Sequence, residues 1–134
     1  MTEHPNAVTV RRGFEAYYSG RLDVLGEYSA DNVVFHFAGN NAMSGTYRGR
    51  DAVMDALARA RGGGGTQSDV ITQSVESVLA SDDHVIAFYH LTHERDGKTL
   101  DVVLAQAITF NAEGKVTEAW FLPNDQRGYD QFFS

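Results

Sequence analysis

Four long stretches of alternating side chains fill the second half of the chain, and they constrain its fold more than any other feature. Asp69–Leu79 sets Val70, Thr72, Ser74, Glu76 and Val78 against Ile71, Gln73, Val75, Ser77 and Leu79, the period of two that a strand imposes. Ser81-Asp82-Asp83 turns the chain into a second strand, His84–Glu94, and Asp96-Gly97 is a hairpin signal. Thr99–Phe110 reads as a long third strand, Asn111–Gly114 as a turn, and Lys115–Leu122 as the last strand, stopped by Pro123. The tail Asn124–Ser134 carries Tyr129, Phe132 and Phe133, too aromatic to lie wholly in solvent.

The first half has a helical period instead. Pro5 suits a first helical turn, and Ala7, Val10, Phe14 and Tyr17 then recur at spacings of three and four until Gly20 ends the helix. Arg21–Tyr28 reads as a shorter helix with Leu22, Leu25 and Tyr28 on one side. Asn32–Phe37 is a buried strand, interrupted by His36 and followed by a glycine-punctuated loop through Gly49. Asp51 is placed as the N-cap of a helix to about Arg61, with Val53, Met54, Leu57 and Ala58 on its apolar side. Four glycines, 62–65, then form a flexible connector; no Gly-Lys-Ser/Thr follows, so they are not a phosphate loop. Helices first and an antiparallel meander afterwards define an α+β domain. The expected form is a single domain over 1–134, a long curved sheet with helices on its concave face and a pocket between them.

Bulk properties narrow the function. The net charge of −7, from 18 acidic and 11 basic residues, speaks against nucleic acid and anionic membrane surfaces as partners. No stretch has the apolar length of a membrane span, and the N-terminal MTEHPNAVTVRR lacks an export pattern. With no cysteine there is no thiolate nucleophile, disulfide or cysteine metal site, and a cytoplasmic location is the expectation.

The order of elements, with Gly20-Arg21-Leu22-Asp23, the Asp31-Asn32-Val33-Val34 strand and Ser44-Gly45-Thr46-Tyr47-Arg48-Gly49-Arg50-Asp51, resembles the nuclear transport factor 2-like superfamily. Within it the chain is most similar to the SnoaL-like polyketide cyclase and ketosteroid isomerase branch, over about Ala7 to Phe133. The resemblance implies a cone-shaped α+β barrel whose curved, mostly antiparallel sheet carries three helices of the N-terminal half on its concave face. It also implies a deep apolar pocket, no organic cofactor, and a homodimer through the outer sheet face. Anchored on Gly39 and Gly45, the isomerase base position falls on His36 when one residue is deleted between Gly20 and Gly39, and otherwise on Phe37. Counting back from Phe110-Asn111 puts the oxyanion acid position on Gln106, and the oxyanion tyrosine position falls near Gly13. The steroid isomerase constellation is therefore not reproduced.

His36 is the candidate base, since imidazole titrates near neutrality; the bland alternative is a hydrogen-bonded core or rim histidine. Gln106, a lone amide on the Val102, Leu104, Ile108 and Phe110 face, either donates to a developing enolate oxygen or satisfies a neighbour. Phe35, Phe37, Leu104 and Trp120 are the expected pocket walls, with Phe14 and Tyr17 from the first helix and Met54 and Leu57 from the third. His90 shares the Ile86 and Phe88 face and is a candidate for the pocket or an interface; His93 is assigned to a hairpin end. Three apart on a strand, these two histidines point to opposite faces and cannot chelate together, so no metal is expected. Asp125 is placed near the pocket mouth, where the resemblance allows it to orient a histidine. Two readings follow: a cofactor-independent cyclase, isomerase or lyase acting on a small, mostly apolar carbonyl or polyketide-like compound, or a catalytically silent ligand-binding or dimerisation module. An epoxide-hydrolase-like site would need an inward aspartate pair that the chain does not offer.

Overall fold

Pro5 opens α1 (Pro5–Tyr18), and the ring Nδ1 of His4 accepts a hydrogen bond from the Asn6 N–H at 3.0 Å to cap it. Ala7, Val10 and Ala16 form its buried stripe, and Phe14 and Tyr17 pack half-buried beside them. Gly20, at φ +80°, turns the chain into α2 (Leu22–Glu27). β1 (Ser29–Phe37), β2 (Gly45–Arg48), α3 (Arg50–Ala60), β3 (Val70–Ala80), β4 (His84–Arg95), β5 (Lys98–Phe110), β6 (Val116–Pro123) and α4 (Gln126–Phe132) complete the fold. The computed structural model describes residues 3–61 and 69–134; the glycine run expected as a connector lies outside them. Among the described residues, no helix is long and apolar enough to cross a membrane.

The six strands form one sheet in the order β2-β1-β6-β5-β4-β3. Every pairing is antiparallel except β1 with β6, which run parallel with Phe35 beside Ala119 and Phe37 beside Phe121. One face of the sheet is covered, by α1 against β3 and β4, α3 against β1, and α4 against β5. The inner face supplies the core: Val33, Phe35 and Phe37 from β1, Val85, Ala87, Tyr89 and Leu91 from β4, and Leu100 through Phe110 at alternate positions of β5. Side chains between these point outward, as the pleat demands.

Several local expectations are corrected. α3 begins before Asp51, from Gly49 at φ +91° with no side-chain cap; Asp51 lies in the first turn, where its charge still complements the helix dipole. A bulge between Val75 and Ser77 breaks the strict alternation of β3. One extra residue reverses the faces beyond it, so Val78 packs on the core while Leu79 stands 61% exposed. The structure adds two short elements: β2, too short to show a period, and α4, formed by the aromatic tail.

α4 is capped by Asp125, whose Oδ1 accepts from the Gly128 N–H at 2.9 Å. Asp130 then clasps it to the loop after β1, its Oδ1 accepting from Asn40 N–H at 3.1 Å, Asn41 Nδ2 at 2.7 Å and Gln126 Nε2 at 2.9 Å. These bonds hold the Asp130 carboxyl below the usual range, the Asn41 bond most strongly. Gly39, at φ +91°, is what allows so close an approach: a Cβ there would overlap Gln126 Nε2 and Asp130 Oδ1. Gly39→Ala is therefore expected to lower the unfolding free energy by about 2 kcal/mol. Gly114→Ala, at φ +75° but facing open space, should cost about 1 kcal/mol. Urea unfolding of both variants checks this, and equal costs would refute the packing argument.

Candidate functional site

Between the inner sheet face and the helices lies a cavity with about 990 Å³ of empty volume, part of it open to solvent. Its apolar wall comes from every layer: Phe14 and Leu25, Met54 and Leu57, then Phe35, Phe37, Leu104, Ile108 and Phe121. Phe37 stacks on Phe121 with ring centres 4.5 Å apart, and Phe14 leans on Tyr89 at 4.6 Å. Into this surface project a few polar groups: Tyr17, Gln73, Tyr89, His93, Gln106 and Tyr129. An apolar cavity with few convergent polar groups is the ordinary form of a small-molecule site.

The strongest polar feature is a relay at one end. His93, 2% exposed, sits on the inward register of β4. Its Nε2 lies 2.8 Å from Asp69 Oδ2, and Arg95 donates to the same oxygen from Nη2 at 2.7 Å and Nε at 2.9 Å. Arg95 also donates to the Ala60 carbonyl at 3.0 Å, at the end of α3. Burial pushes the Asp69 carboxyl up, but the bonds from Arg95 and His93 outweigh it and hold the group below its ordinary value. Burial, opposed by Asp69 and reinforced by Arg95, pushes His93 below the usual imidazole value. His93 is accordingly neutral at pH 7. With Nε2–H given to the carboxylate, Nδ1 keeps its lone pair and makes no hydrogen bond to a described residue, while the ring borders the cavity. The phenols of Tyr17, Tyr89 and Tyr129 are all raised, each chiefly by burial. They remain protonated hydrogen-bond donors.

The expected site residues divide by face. Phe14, Tyr17, Phe35, Phe37, Met54, Leu57, Leu104 and Gln106 all line the cavity. His36, Trp120 and His90 do not, because they alternate with inward residues and project from the outer face. There His36 Nε2 meets Glu118 at 2.5 Å, its Nδ1 meets Thr46 Oγ1 at 3.0 Å, and its ring stacks on Trp120 at 5.1 Å. His90 pairs with Asp101 at 2.5 Å on the same outer face. Asp125 is also corrected: its carboxylate caps α4 and does not orient a histidine. For His36, Trp120 and His90 the reason is strand alternation: the base position anchored by Gly39 and Gly45 falls one residue short of Phe37, the inward one. Asp125 follows the last strand and is taken up by the helix it starts. His93, Asp69 and Gln73 were missed, although His93 continues the alternate row Val85, Ala87, Tyr89, Leu91. Among the described residues, no group of three or more His, Asp or Glu side chains could hold a metal ion.

This architecture defines a conical α+β domain with a cavity between its sheet and its helices. The sequence pattern of the SnoaL-like domain matches residues 10–119, and the chain belongs to that family, a branch of the nuclear transport factor 2-like superfamily. It is 36% identical over 119 residues, 87% of each chain, to uncharacterized protein Rv0034 of Mycobacterium tuberculosis (strain ATCC 25618 / H37Rv). Among solved structures it is similar to Bal32a from a soil-derived mobile gene cassette, with a TM-score of 0.84, 35% identity and 96% of each chain covered. A nuclear transport factor 2-like protein from Burkholderia xenovorans LB400 shares the fold, with a TM-score of 0.75, 21% identity, and 92% of this chain and 93% of that one covered.

The relay also sets a pH dependence. His93 and Asp69 both have folded values below their unfolded ones. Each contributes stability that is complete above its unfolded value, about 6.5 for histidine and about 3.9 for aspartate, and is lost as pH falls through the folded value. Thermal unfolding should show a midpoint that drops as pH falls below the unfolded histidine value of about 6.5, and drops less in His93→Gln, which cannot take up the proton. Identical slopes in the two proteins would overturn this assignment.

Proposed function

We propose that this chain is a cofactor-independent acid–base enzyme of the cyclase, isomerase or lyase type, acting on a small, mostly apolar carbonyl compound. The observation that carries the reading is the neutral His93, oriented by a buried carboxylate and bordering an apolar cavity. In this reading Nδ1 of His93 takes a proton from the carbon α to the carbonyl. The C–H electron pair moves into the C–C bond, and the carbonyl π pair moves onto oxygen. Asp69 stabilises the imidazolium that results, as a buried carboxylate does for a histidine base. A phenol, or the amide of Gln106, donates to the enolate oxygen. Return of the proton to another carbon completes an isomerisation. Attack by the enolate carbon on a second carbonyl of the same molecule, whose π pair moves onto its oxygen and takes the proton back from His93, completes a cyclisation.

The test is turnover of a panel of cyclic enones and phenolic ketones by His93→Gln and His36→Gln. His93→Gln should lose roughly 10²–10⁴-fold in kcat/KM, while His36→Gln stays within about twofold. A His93→Gln enzyme of undiminished activity would sink the reading.

We also propose that the active species is a homodimer through the outer sheet face. Two cross-strand rows lie side by side there: Leu79, Ile86, Ala107 and Trp120, then Phe88, Ala105 and Leu122. Leu79, Ile86, Phe88 and Leu122 are 38–61% exposed. The outer-face pairs His36–Glu118 and His90–Asp101 provide polar groups beside this patch, and a second copy offers the same mixture in reverse order, as a two-fold interface requires. Sedimentation should give a dimer at micromolar concentration and a monomer for Phe88→Asp; a monomeric parent protein would refute it.

A further inference from the structure

Among the described residues lining the cavity, one fully buried oxygen is left unmatched. Gln73 lines it from β3, and its Oε1 is fully buried without a hydrogen-bond partner among the described residues. Across the sheet Gln73 faces Leu91, which has nothing to donate; the flanking pairs are Ile71 with His93 and Val75 with Tyr89. The amide therefore sits diagonally between the imidazole and a phenol, all on the inward face. A buried acceptor left unpaired is costly, and the donor it lacks is one a bound molecule can bring.

Charge narrows what that molecule is. Asp69 carries its countercharge in Arg95, and although its Oδ1 is also buried without a partner among the described residues, the residue does not line the cavity. No free negative charge therefore draws a protonated amine into it. A carboxylate would bring acceptors only. A neutral hydroxyl does both things asked here: it donates to Gln73, and its oxygen accepts from the Tyr89 phenol.

We infer that the ligand is an uncharged, hydroxyl-bearing apolar compound, a phenol, enol or alcohol, whose O–H is read by Gln73 between His93 and Tyr89. This rests on the cavity being the ligand site and adds the group that the site selects. The hydroxyl is a recognition element, and no bond to it is made or broken.

The test pairs 2-naphthol with 2-methoxynaphthalene, which has the same ring system and no donor. Dissociation constants would be measured by calorimetry, with the ring signals of Tyr17 and Tyr89 followed by NMR. The native chain should prefer 2-naphthol by about tenfold. Gln73→Leu, which replaces the unmatched amide by a group of similar size, should lose that preference while binding the methyl ether at least as well. Equal affinities in the native chain, with the tyrosine signals moved by both compounds, would overturn the inference and leave the cavity reading standing. A preference retained in Gln73→Leu would overturn Gln73 as the reader. Failure of both compounds to move the tyrosines would overturn the inference and the cavity reading together.

Discussion

The structure hangs on one buried carboxylate. Asp69 has a side chain only 5% exposed, and an ion taken so far from water costs several kcal/mol unless charge and hydrogen bonds offset it. Here Oδ2 takes all of the bonds, and Oδ1 has no partner among the described residues. The groups that match it come from elsewhere in the fold. Arg95 approaches along β4 and simultaneously ties off the last carbonyls of α3. The His93 imidazole stands on the other side with its ring 4.8 Å from Phe132 of α4, and the Arg95 guanidinium lies 5.6 Å from the Phe133 ring. A helix end, two strands and the C-terminal helix are thus brought together by one charge. The same contacts leave a histidine neutral, oriented and beside the cavity.

Much of the architecture is legible in the chain. Long alternating strands, Asp-Gly and Asn-containing turns and a helical first half leave few alternatives to a curved sheet with helices on one face. The short pieces were not legible, for physical reasons. β2 has four residues and no buried side chain. α4 holds Gly128 in its middle, and its start was betrayed only by Asp125, whose cap role is a local signal that a search for apolar period passes over.

The site was half legible. Residues that define the cavity wall follow from period alone, and eight of those expected do line it. His36 does not, because in a strand a shift of one position exchanges the faces completely. The reverse error hid His93. Its row, Val85, Ala87, Tyr89 and Leu91, is as apolar as any in the chain, so a histidine continuing it had to be buried and partnered. Only the pairing of β3 with β4 reveals that the partner is Asp69, twenty-four positions earlier. The contrast with the outer face is instructive. His36–Glu118 and His90–Asp101 use the same residue types at similar distances, but they stand partly in water, where screening leaves such pairs little energy.

The parallel pairing of β1 with β6 has a kinetic side. β1 shows Val33, Phe35 and Phe37 to the interior, yet the strand that completes its hydrogen bonding is the last in the chain. During synthesis those three side chains and an open backbone edge must wait until β3, β4, β5 and β6 have all emerged. Contacts of such sequence separation make folding slow, and an unpaired apolar strand is a template for pairing with the wrong neighbour. α3, which follows at once and packs on β1, is then more than a wall of the cavity. Its cover for β1 is complete in the chain before any of β3 to β6 has been made.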